Sequence, residues 1–165
     1  MPDWLTHIVI AAVVGELFSV RKKSLLFFGA LLPDILPKLV LLRLFIPLPA
    51  LDYTLLSAFH TPFVLFLVTL LIAPLFRYRY KIVVALITLG ALTHFVSDAL
   101  LQHFSGGVAL LYPLSLKHYT LNLVWPEQSY LILLPALFMY GLILIVKREN
   151  REAKNYGTRR TAKAD

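Results

Sequence analysis

The chain has 165 residues, of which 59% are hydrophobic and only 15% charged, with a mean hydropathy of +0.76. A soluble core of this size could not bury so much apolar surface, so the composition excludes a water-soluble globular domain and indicates an integral membrane protein of one domain. The net charge of +7 is spread over short loops and the segment 147–165, which argues for membrane topology rather than a nucleic-acid groove, and the absence of cysteine leaves histidine and carboxylate as the metal ligands available.

Five apolar stretches follow one another: Trp4–Val20, Ser24–Ile46, His60–Phe76, Ile82–Gln102 and Ser129–Val146. A span needs roughly 20 residues, so an all-α membrane bundle of about five helices is expected. Met1–Thr6 lacks a basic stretch ahead of the first run, so that run is expected to stay in the mature protein. In the second run, Pro33 and Pro37 each remove an amide donor, and a helix broken there is expected, with Asp34 at the break. The plainer alternative is a helix end capped by Asp34.

Arg21–Lys23, Arg77/Arg79/Lys81 and the segment beginning Lys147-Arg148 are three basic clusters. All three fall on one side if the amino terminus is outside and the carboxy terminus cytoplasmic. Lys38 and Arg43 fit this less well, because they would lie toward the outer end. The organisation expected is a transmembrane domain over 1–146, with an outer loop at 103–128, and a basic cytoplasmic tail over 147–165. The loop is too polar to span and is expected to fold over the outer mouth of any site. Its Tyr112, Tyr119 and Trp125 suit head-group depth. The tail, without apolar periodicity, reads as a disordered or fraying continuation of the last helix that attracts anionic lipid.

The polar residues inside the spans carry the chemistry. A carboxylate near the bilayer centre costs about 2.5–3.5 kcal/mol on insertion scales, so it needs a partner or a purpose. His94 and Asp98 are four residues apart, which stacks them on one helix face and suits chelation of a single cation. Gly90 and Gln102 extend that stripe, and Thr93 and Ser97 flank it. His7, His60 and the His94–Asp98 pair fall at similar depth on the outer side, with Asp34 nearer the middle. Imidazole and carboxylate together suit a divalent ion, zinc above all. For His94–Asp98 alone, a packing hydrogen bond between helices would suffice. Glu16 is better placed to pair with Arg21–Lys23 than to join the site.

Thr6-His7, Leu31-Leu32-Pro33-Asp34-Ile35, Phe59-His60-Thr61, Thr93-His94-Phe95-Val96-Ser97-Asp98 and the run from Gly107 to Ser115 resemble, in order and spacing, the YdjM-type family of membrane-bound metal-dependent hydrolases. That family is distantly similar to zinc-dependent phospholipase C and related nucleases. The resemblance implies His7, Asp34, His60, His94 and Asp98 as metal ligands, with Asp98 able to bridge two ions. It also makes His103, His118 and Glu127 candidates for further ligands. The chain departs from the pattern at Leu36, where relatives often carry an acid, at Ser57-Ala58-Phe59 and at Leu101-Gln102-His103. The ion count is therefore left at one or two.

The function expected is metal-assisted hydrolysis of a phosphoester, such as a phospholipid head group, at the outer side of the cell membrane, with membrane lipid as partner and no nucleic acid. Two other classes remain open: a proton- or cation-coupled transporter built on the same polar residues, and a non-catalytic membrane scaffold.

Overall fold

A computed structural model of the chain describes residues 4–38, 58–102 and 107–161. Among them lie five α-helices: α1 Trp4–Leu17, α2 Lys23–Lys38, α3 Pro62–Ile72, α4 Tyr80–Ala99 and α5 Tyr130–Thr161. 3₁₀ turns occupy Ala73–Leu75 and Pro126–Gln128, and no strand occurs among the described residues. The chain is thus the all-helical bundle its apolar runs imply.

Two segments are long and apolar enough to cross a bilayer: Tyr80–Ala99 and Pro126–Lys154. The first covers about 30 Å at 1.5 Å per residue, the thickness of the hydrocarbon core. Trp4–Leu17 and Pro62–Leu75 are apolar but shorter. α1 stops early because Ser19 takes a left-handed conformation (φ 51°). Val20 N–H then donates to the Gly15 carbonyl (2.8 Å) and Ser19 N–H to that of Glu16 (3.1 Å), a Schellman ending that consumes the last free carbonyls.

α1 is buried on several sides, through residues such as Thr6, His7, Val9, Ala12, Val13 and Glu16, because it packs against α2, α4 and α5 together. The most extensive pairing joins α2 to α4. The buried side of α4 runs through Val83, Ile87, Gly90, Ala91, His94 and Asp98, a spacing of three and four residues that keeps one face inward. Where the two helices cross, a Cβ on Gly29 would overlap the Ile87 carbonyl, and one on Gly90 would overlap the carbonyl of Leu26. Glycine is required at both positions so that the backbones can touch, a device common between helices in lipid.

The expected break at Pro33 does not occur. α2 is helical through Pro33 to Lys38, and the stretch 39–57, including Arg43, lies outside the described residues. Proline removes one helical donor and crowds one carbonyl, and in a membrane helix a close neighbour can compensate for both. Here α4 is that neighbour: it packs against Gly29, whose carbonyl Pro33 leaves without its helical donor, and His94 Nδ1 donates to the next carbonyl along, that of Ala30 (2.7 Å).

The loop after α4 is described from residue 107 onward. Its described part folds onto the last turn of α4: Leu121 N–H donates to the Ala99 carbonyl (2.7 Å), Leu123 N–H to that of Leu100 (3.0 Å) and the Thr120 hydroxyl to that of Leu101 (2.5 Å). These carbonyls have no helical donor of their own, and the loop supplies it. Val108 enters the buried cluster that includes Leu32, Leu65 and Phe95. The tail is not disordered where it is described. α5 continues past Lys147 to Thr161, with an Arg148–Glu152 pair (2.8 Å) at helical spacing.

The three basic clusters meet at one end of the bundle. Lys22 Nζ lies 4.7 Å above the Tyr78 ring, and Glu16 accepts from both Lys23 and Lys147, the latter at 2.8 Å. The expected pairing of Glu16 with the Arg21–Lys23 cluster is therefore present, and Lys147 adds a second cation.

Replacing Gly90 by alanine should lower the melting temperature of the purified protein in detergent, by a destabilisation of about 1–3 kcal/mol typical of overpacking. Gly141→Ala is the control, because a Cβ there meets nothing within 4 Å. It should leave the transition unchanged or raise it slightly, and equal losses in both variants would contradict the close crossing.

Candidate metal centre

His94 lies at the middle of the polar cluster. Its Nε2 is 3.2 Å from Asp98 Oδ2, 3.8 Å from Asp34 Oδ1 and 3.1 Å from Nε2 of His60. His60 Nε2 is in turn 3.0 Å from Asp98 Oδ2, and His7 Nε2 is 3.6 Å from Asp98 Oδ1. The His7 and His94 rings stack, with centroids 3.8 Å apart. All five residues singled out from the sequence thus converge, drawn from α1, α2, α4 and the turn before α3.

Each arrives by a local device. His94 and Asp98 share the inward face of α4, and α2 brings Asp34 across the glycine crossing. Thr61 adopts an extended conformation (φ −127°, ψ 143°) with Pro62 at the first helical position, which starts α3 abruptly and leaves His60 on the preceding turn. The Thr61 hydroxyl steadies that turn by donating to the Ala58 carbonyl (2.7 Å). Four of the five are shut off from solvent, with His7 at 1% exposure and Asp34, His94 and Asp98 at 0%. The His60 side chain keeps 15%, so the open edge of the cluster is on its side.

The hydrogen bonds fix which ring nitrogens face inward. The Ala30 carbonyl can only accept, so His94 carries its proton on Nδ1 and presents a lone pair at Nε2. Ser97 Oγ lies 2.8 Å from the Thr93 carbonyl and 2.9 Å from that of His94, and its single proton serves those acceptors. Its oxygen therefore accepts from His7 Nδ1 (3.0 Å), which makes Nε2 of His7 an inward lone pair as well.

Lone pairs on imidazole, aimed at carboxylate oxygens and at another ring nitrogen, repel unless a metal cation or shared protons sit among them. The donors group as His7, His94 and Asp98 on one hand and Asp34, His60 and His94 on the other, with the ligand atoms of each group within 4.8 Å of one another. Three imidazoles and two carboxylates form a nitrogen and oxygen set suited to zinc, and the two carboxylate charges balance one divalent ion. The residues present therefore fit such an ion, and both groupings use His94.

The further ligand candidates do not join this cluster. His118 and Glu127 are exposed and belong to neither grouping, and His103 lies outside the described residues. In the sequence Ser97 stood out only as a residue flanking the stripe. Its position, three after His94 and four after Thr93, is the signal that it bonds back to their carbonyls and frees its oxygen for His7. The Ala30 carbonyl carries no side-chain signal at all.

The family model described as YdjM inner membrane protein matches residues 1–158. No curated protein and no solved structure matches the chain.

Ser97→Ala should remove the acceptor that orients His7 and lower metal affinity about 10–100-fold, the usual effect of losing such an outer partner. Competition with a chelator measures this, and an unchanged affinity would contradict the tautomer assignment.

Proposed function

The chain belongs to the YdjM inner membrane protein family, and from the donor set at its centre we propose that it is a membrane-embedded, metal-dependent hydrolase of phosphoesters. The observation that carries this reading is the convergence of three Nε2 atoms and two carboxylates in a site closed to solvent except beside His60. A divalent ion held there, zinc by the donor chemistry, would supply Lewis-acid charge and make a bound water far more acidic than bulk water.

The chain's own residues do the rest. Ser97 and the Ala30 carbonyl engage Nδ1 of His7 and His94 and so turn the Nε2 atoms of both rings inward. Asp98 reaches toward His7, His60 and His94 at once and gathers the cluster. Phe95 packs edge-on against His60 (5.5 Å between centroids) and keeps that side of the site apolar. A phospholipid head group is the substrate class that suits this setting, since the bundle presents apolar side chains such as Phe63, Phe66 and Leu92 to its surroundings. The orientation that goes with this reading puts the amino terminus outside and the basic end of the bundle at the cytoplasmic face.

The 3.1 Å approach of His60 to His94 favours one other reading, a proton shared between rings as in a cation-coupled transporter. Turnover separates the two. Protein in liposomes should cleave a phospholipid phosphoester, lose activity with a chelator and regain it with zinc, and Asp98→Asn should lower the rate at least about 100-fold. Proton flux abolished by Asp98→Asn, with no metal-dependent cleavage, would favour the transporter. Because the chain has no cysteine, single cysteines report sidedness directly. Leu114→Cys, at a residue 93% exposed, should react with an impermeant reagent from outside and Lys154→Cys only after permeabilisation, and the reverse would overturn the orientation.

A further inference from the structure

A second polar feature lies at the other end of the bundle. Glu16 is nine residues beyond His7, about 14 Å along α1 at 1.5 Å per residue. There the turn between α1 and α2 and the middle of α5 enclose a cavity of about 660 Å³, lined by Arg21, Lys22, Lys23, Lys147 and Arg151 with Glu16 as its single carboxylate. A neighbouring cavity of about 450 Å³ shares Glu16, Lys23, Lys147 and Arg151 and adds Leu144 and the mutually paired Arg148 and Glu152.

The arrangement is fixed before any ligand arrives. Glu16 accepts from Lys23 and from Lys147, whose ammonium also donates to the Glu16 carbonyl (2.5 Å) at the end of α1. One carboxylate cannot neutralise two lysines, and Arg21, Lys22 and Arg151 add to the excess. Exposed apolar side chains stand near it in the chain, Leu17 at the end of α1, Phe18 in the turn that follows, and Leu142 and Ile145 on α5. A basic pocket between helix ends, flanked by lipid-facing surface, is the setting in which acidic head groups bind.

We propose that this pocket binds the phosphate of an anionic phospholipid, with the acyl chains lying along the apolar surfaces of α1 and α5. Phosphate charge answers the uncompensated cations, and the neighbouring apolar surface favours a lipid over a soluble phosphate. The site is separate from the metal centre, and its occupancy does not depend on catalysis.

The test uses the full chain in detergent micelles doped with phosphatidylglycerol or phosphatidylcholine, with lipid retention read by native mass spectrometry. Phosphatidylglycerol should be retained in preference to phosphatidylcholine, and inorganic phosphate at millimolar concentration should not displace it. Arg21→Gln with Arg151→Gln spares the Glu16–Lys23–Lys147 network. At about five-fold per basic residue, it should cost about 30-fold in phosphatidylglycerol affinity, with the metal content unchanged. Equal retention of the two lipids, or retention that survives the double substitution, would overturn the proposal. Displacement by phosphate alone would overturn its lipid part and reassign the pocket to a soluble anion.

Discussion

The contact between the backbones of α2 and α4 at Gly29 and Gly90 sets the position of everything polar in this protein. Lipid tails are as apolar as leucine, so helices in a bilayer gain little by burying leucine against each other, and close packing of small residues takes over. The two glycines let the helices approach until a Cβ on either would strike the opposing backbone. At that separation the His94 ring reaches the Ala30 carbonyl, and Asp34 reaches the ring's other nitrogen. α2 stays helical through Pro33 to Lys38 against this neighbour, with Asp34 buried on the inward face.

Charge gives this geometry its chemical meaning. Two carboxylates at 0% exposure are costly in a protein interior and more so in a membrane. Neutral imidazoles with inward lone pairs add to that cost. A divalent ion would turn both liabilities into ligands, and the hydrogen bonds of His7 and His94 orient the rings as ligation would need. Exposure is confined to the His60 side, where Phe95 packs against the ring, and the other four residues are closed off from solvent. At the opposite end Glu16 collects two lysines and anchors α5, which otherwise buries little of itself against the bundle.

Much of the site was legible in the sequence because charge in an apolar run is conspicuous. His94 and Asp98 declare themselves by spacing alone, and alternation of basic loops brings His7 and His60 to the same depth. Asp34 was reached for a different reason than the one that holds: the sequence suggested a break at Pro33, whereas packing against α4 keeps the helix whole. Interactions between distant segments left no trace in local pattern. Lys147 meets Glu16 across most of the chain, Ser97 orients His7 from another helix, and the loop bearing Thr120 and Leu121 caps α4 through backbone groups. The tail was left between disorder and a fraying continuation of the last helix because its charges carry no apolar period, and an Arg148–Glu152 pair with few helix breakers favours the helix.

X-ray absorption at the zinc edge of the purified protein tests the central claim most directly. A stoichiometric ion should show only nitrogen and oxygen neighbours at about 2.0–2.2 Å, with the multiple-scattering signature of histidine, and His94→Ala should remove most of that signal because both ligand groupings share this ring. A protein free of metal after zinc loading, or a spectrum unchanged by His94→Ala, would contradict the account.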